Sequence, residues 1–179
     1  MFIFLRLSLH SSVSLSSDGT RVAIGAPGND DGGNNSGHVR VYEYANNTWT
    51  KRGGDIDGEA QYDFAGQSVS LSSDSNVVAI GAHKNDGNGN NSGHVRVFEL
   101  SNDTWSQLGF DIDGEASGDG FGDSVAINSD GSIIAVGAKP VFVDSKMDFN
   151  IDESQIEKKI TKKTKAIMAV HVLGNSTNM

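Results

Sequence analysis

The chain has 179 residues, a formal net charge of −9 and no cysteine. The acidic balance excludes a partner held by its phosphate backbone, which needs clustered Lys and Arg to displace counterions, so no nucleic acid is expected. The lack of cysteine excludes disulfides, thiolate metal sites and a Cys nucleophile, and a composition rich in Gly, Ser and Asn suits short strands joined by tight turns.

Residues 1–11 are an irregular N-terminal segment. The apolar run Phe2 to Leu5 is broken by Arg6, so the pattern of a secretory signal, one basic residue ahead of roughly 7 to 15 apolar ones, is not met. No later stretch approaches the ~18 apolar residues of a membrane span.

From Ser12 the chain repeats itself. Ser12–Gly66 aligns with Ser68–Gly122 without a gap and with 36 of 55 positions identical, and a third copy runs from Ser124 to Ala138. A period of this size implies stacked units that cannot bury their apolar faces alone. Each copy divides into four strand-like runs. In the second copy, Ser68 to Ser72 alternates Val69 and Leu71 with serines, which gives one apolar face. Val77 to Ala82 is small and continuously apolar, as a strand buried on both faces should be. Gly93 to Leu100 alternates again, and a fourth run around Trp105 supplies a large aromatic as cover for the core. Four antiparallel strands in 56 residues describe a propeller blade. The fold expected is all-β, a partial β-propeller of four-stranded antiparallel blades, with two full blades and an incomplete third.

These residues resemble the FG-GAP repeats of integrin alpha-chain propellers. Phe121-Gly122, Ser124-Val125, Asp130-Gly131 and Gly137-Ala138 follow that pattern, as do Gly25-Ala26-Pro27 and Gly37-His38-Val39-Arg40-Val41-Tyr42. The resemblance implies a binding or cell-adhesion module at an extracellular or cell-surface location. It also implies calcium in the turn after the first strand, but Ser17 to Thr20, Ser73 to Asn76 and Ser129 to Ser132 offer too few oxygens for the six to eight ligands calcium takes. The family's calcium site is therefore not carried over to those turns.

Two other loop types hold the candidate ligand-binding residues. Between the second and third strands stand Asn29, Asp30, Asp31 and Asn34, with Asn85, Asp86, Asn88 and Asn90 in the next copy. Their clustered oxygens make Asp30, Asp31 and Asp86 the candidate positions for a weak calcium ion, the one cofactor considered. The plainer reading, residues tolerating the positive φ of a long hairpin loop, is preferred. After the fourth strand come Asp55, Asp57 and Glu59, repeated as Asp111, Asp113 and Glu115. An acid repeated in every copy reads as structural, since chemistry needs a unique constellation; no catalytic residue is assigned and the protein is not expected to be an enzyme. The alternatives are a glycosidase-like hydrolase using Asp57 and Asp113, and a purely structural repeat. His38 and His94, before the third strand, read as exposed hairpin residues. Five Asn-x-Ser/Thr triplets, at Asn34, Asn46, Asn90, Asn102 and Asn175, are compatible with a surface glycoprotein.

After Lys139-Pro140 the repeat is lost in a charged stretch, and Ala169 to Leu173 reads like the third strand of a third blade. The resulting division is 1–11 irregular, 12–66 and 67–122 the two blades, 123–139 the start of a third, 140–166 a charged insert, and 167–179 a last strand and tail. Fewer than three blades cannot close a ring, so self-association through open blade edges is expected. The two candidate loop types emerge at one end of a blade and together form the expected binding face for a protein or glycan.

Overall fold

A computed structural model describes residues 12–137. Twelve strands and no helix are present among them. The first blade comprises β1 (Val13–Leu15), β2 (Arg21–Ala26), β3 (His38–Ala45), β4 (Thr48–Lys51) and β5 (Ile56–Asp57). The second repeats it as β6 (Ser68–Leu71), β7 (Val77–Ala82), β8 (His94–Ser101), β9 (Thr104–Gln107) and β10 (Ile112–Asp113). A hairpin of β11 (Val125–Ile127) and β12 (Ile134–Val136) begins a third.

All strand pairs are antiparallel, and the register is copied from blade to blade: Val13 faces Ile24 as Val69 faces Ile80. The small apolar strands β2 and β7 lie between their neighbours, and every residue of β7 is buried. The fourth strand expected from the sequence is in fact split. Both β4 and β5 pair with the long β3, on its C-terminal and N-terminal parts respectively, because the chain bends away at Gly53, whose φ is 73°. The β3–β4 hairpin turns on Asn46 and Asn47 at φ 51° and 61°, the left-handed pair of a type I′ turn that matches strand twist.

The blades stack through their backbones as well as their side chains. Ser14 Oγ accepts from the Leu71 amide at 3.0 Å, and one period later Ser70 Oγ accepts from the Ile127 amide at 3.1 Å. A Cβ on Gly81 would fall on the carbonyl oxygen of Gly122, as one on Gly25 would on that of Gly66, so these glycines repeat because two backbones touch there. Val39, Val41, Ile56, Val69, Leu71, Val78, Ile80 and Phe98 join in one core that spans both blades. Trp105 packs against it and donates Nε1–H to the Arg52 carbonyl at 3.0 Å, which makes this aromatic a cover for the core. The charged insert at 140–166 and the last strand expected within 167–179 lie outside the described residues, as do residues 1–11.

Candidate functional site

The loop face begins with the segment that joins β2 to β3. In both copies an Asp closes this loop on itself: Asp30 Oδ1 accepts from the Asn35 amide, and Asp86 Oδ1 from the Asn91 amide, each at 2.7 Å. Asn29 Oδ1 and Asn85 Oδ1 likewise accept from the amides of Asp31 and Gly87, both at 2.8 Å. Asn88 Nδ2 donates to the Gly114 carbonyl, while Asn34 and Asn90 each accept from the next asparagine's amide. Much of the polarity read as ligand-binding thus shapes the turns, whose Asn35 and Asn91 take φ near 50°.

The loop after the fourth strand lies against the β2–β3 loop. The Tyr62 amide donates to the Asn34 carbonyl at 2.8 Å, and the Phe64 amide to the Asn35 carbonyl at 3.1 Å. Asn85 Nδ2 of the second blade reaches Asp63 Oδ2 at 3.0 Å. The two candidate loop types therefore do meet at one end of the stack. An open groove of about 620 Å³ runs between them, lined by Gln61, Tyr62, Phe64, Lys84, Asp86 and Asn90 with Asn91. Lys84 Nζ sits 4.5 Å from the Phe64 ring centroid, a cation–π contact that holds the ammonium at the groove wall.

Two of these residues carry backbone strain. Tyr62 and Phe64 have φ of 69° and 57°, a region that bulky L-residues avoid. One period later the same positions are Gly118 and Gly120, at φ 80° and 60°. The loop demands left-handed backbone; the second blade meets the demand with glycine and the first with aromatic rings that line the groove. Sequence reasoning missed Tyr62, Phe64 and Lys84. Their signal was the departure of one copy from the other, whereas the identical positions drew attention.

Asp55, Asp57 and Asp113 do not line the groove. Asp55 Oδ2 accepts from Arg40 at 2.9 and 2.6 Å, and its Oδ1 lies 2.6 Å from Lys51 Nζ. Those bonds, the Arg40 one foremost, hold the Asp55 carboxyl down at about 2. Asp57 lends its main-chain oxygen to Arg96 Nη2 at 2.7 Å, and Asp113 stands opposite His94 in β10.

His38 and His94 are buried, and their reading as exposed hairpin residues is corrected: the β5 and β10 strands pair across them and close them in. Each gathers two acids, Asp31 and Asp55 around His38, and Glu59 and Asp111 around His94. Burial, reinforced by the neighbouring Arg40 or Arg96, pushes both imidazoles below their ordinary value and keeps them neutral.

Stacked four-row antiparallel sheets with a loop groove at one end define a propeller-type β-repeat. More particularly, the chain carries an FG-GAP repeat, matched over residues 56–98. Residues 127–179 match a different family, the DegT/DnrJ/EryC1/StrS aminotransferases, and this match overlaps the hairpin that opens the third blade. Among curated proteins, the chain is 46% identical over 72 residues to the pleiotropic regulatory protein of Geobacillus stearothermophilus, covering 36% of this chain and 19% of that one. It is 46% identical over 67 residues to dTDP-3-amino-3,6-dideoxy-alpha-D-galactopyranose transaminase of Aneurinibacillus thermoaerophilus, with 34% and 18% covered. GDP-perosamine synthase of Escherichia coli O157:H7 is 48% identical over 54 residues, covering 30% of this chain and 15% of that one. The chain spans less than a fifth of the length of each of these relatives.

Proposed function

We propose that the repeat part of this chain is a non-catalytic binding module that takes a glycan or a protein loop in the groove between the two blades, as an adhesion module would. The observation that carries this reading is the pair of strained aromatics. A left-handed Tyr or Phe costs on the order of 1 kcal/mol or more where glycine would cost none, and such strain is retained where the side chain is used. Tyr62 and the Phe64 ring offer apolar faces, while Gln61, Asn90 and Asn91 offer amide donors and acceptors for hydroxyl or peptide groups. Tyr62→Gly and Phe64→Gly convert this loop to the pattern of the second blade. Screening the full chain and both variants on a glycan and peptide array is expected to show binding that the variants lose, with the unfolding free energy from urea titration unchanged to within about 1 kcal/mol, as relief of strain is offset by glycine's entropy. Binding that persists in both variants would move the site off this groove.

A second reading is favoured by the match over residues 127–179. That segment is similar to part of the DegT/DnrJ/EryC1/StrS aminotransferases, and the curated relatives include an amino-sugar transaminase. Transamination of dTDP-linked amino sugars by the full chain, in either direction, would overturn the non-catalytic assignment.

A further inference from the structure

We propose that His94, Glu59 and Asp111 form a divalent-metal site at the seam between the two blades, suited to zinc through one imidazole and two carboxylates. It is separate from the groove and does not depend on what the groove binds. His94 comes from the start of β8, Asp111 precedes β10 of the same blade, and Glu59 is supplied by the loop leaving β5 of the first blade.

The His94 side chain is 2% exposed, and its Nδ1 has no hydrogen-bond partner. It faces Asp111 Oδ2 at 3.7 Å and Glu59 Oε2 at 3.8 Å. Those separations are too long for hydrogen bonds, and a buried nitrogen left without a partner is costly. All three ligand atoms lie within 4.8 Å of one another. An ion centred among atoms so spaced would sit no more than about 2.4 Å from each, within a few tenths of an ångström of the ~2.0–2.2 Å of zinc to nitrogen and oxygen. Glu59 and Asp111 are partly exposed, so they can make that small adjustment, and an ion can enter from solvent.

The outer partners leave the correct atoms free. Gln107 Nε2 donates to Asp111 Oδ1 at 2.6 Å, and Arg96 Nη1 lies 3.4 Å from Glu59 Oε1. Each carboxylate is thus held by one oxygen while its other oxygen faces His94, the arrangement by which outer-shell groups orient metal ligands. With its proton on Nε2, the buried imidazole presents a lone pair at the unpartnered Nδ1.

The equivalent place in the first blade is already filled by cations. Arg40 donates twice to Asp55 Oδ2, the oxygen equivalent to the free one of Asp111, and Lys51 holds Oδ1. Lys51 is replaced by Gln107 one period later, and the position one period before Glu59 is Ile3. Of the two described blades, the second alone brings acids from both blades to its histidine, with neutral Gln107 on Asp111 and Arg96 confined to the far oxygen of Glu59.

Calorimetric titration of the full chain with zinc chloride, and visible absorption on titration with cobalt(II), test this directly. One site per chain is expected, with cobalt bands showing nitrogen and oxygen ligation. Glu59→Gln and Asp111→Asn, both at partly exposed positions that leave folding intact, are each expected to weaken zinc at least about tenfold. Gln107→Lys, which installs the first blade's cation, is expected to abolish it, and His38→Gln to leave it unchanged. The proposal is overturned if the chain binds no more zinc than the Glu59→Gln/Asp111→Asn double variant. It is equally overturned if one-equivalent binding survives in both single variants, which would assign the metal to another histidine, or if Asp55→Asn removes it, which would place it in the first blade.

Discussion

The two blades are 36 of 55 positions alike, yet the same residue lives in different surroundings in each. Leu71 is 7% exposed and Leu15, its counterpart, 63%; Ile56 is 5% exposed and Ile112 40%. Leu71 and Ile56 lie in the core that both blades share, and Leu15 and Ile112 stand outside it. Burial in a repeat therefore belongs to the stack more than to the unit. A second contrast concerns function: where the blades agree they build sheets and turns, and where they differ, at Tyr62 and Phe64 against two glycines and at Lys51 against Gln107, they build the groove and the open histidine cluster.

The most severe way to break the comparison is at the seam where backbones touch. Gly25→Ala places a methyl group on the Gly66 carbonyl, and a cost of more than about 3 kcal/mol is expected, read as a lowered urea midpoint. Protection lost first in amide exchange at Gly66, whose N–H donates to the Gly81 carbonyl at 3.1 Å, would localise the damage to the seam. Equal protection of that amide in the variant would mean the blades separate without it.

A more discriminating pair is Leu71→Ala and Leu15→Ala. The first removes a buried side chain from the shared core and is expected to cost about 2–4 kcal/mol, the second under about 0.5 kcal/mol. Equal losses in denaturant titrations would show that Leu15 is covered in solution by another blade, such as a second copy of the chain.

The smallest expected effect is with pH. His38 and His94 are held below their unfolded value, so on acidification the unfolded chain takes up protons there before the folded one does, and stability falls as pH drops below about 6.5. Asp18 and Asp55 sit at about 2, depressed chiefly by the Ser16 hydroxyl and by Arg40 respectively. Their contribution is full above about pH 4 and is lost only as pH falls from there toward 2. Urea midpoints between pH 7 and 5 should thus decline shallowly in the metal-free chain, and His94→Gln should flatten the decline more than His38→Gln, because His94 is the more buried. A flat profile in the unsubstituted chain would contradict the neutral, buried state of both imidazoles.

Periodicity alone determined the all-β blade, the number of described blades and the end of the stack that carries the loops. Strand patterns such as Val-Ser-Leu and Val-Ala-Ile-Gly-Ala are local, and the repeat confirms each reading twice. The same regularity hid what the tertiary structure decided. Asn29, Asp30, Asn85 and Asp86 are rich in ligand-like oxygens, but only the folded loop shows those oxygens turned onto neighbouring amides. His38 and His94 precede an alternating strand and read as exposed, but β5 and β10, too short to register as strands in the sequence, cover them. Glu59 comes within reach of His94 only because two blades stack, and no spacing within one copy contains a contact made between copies.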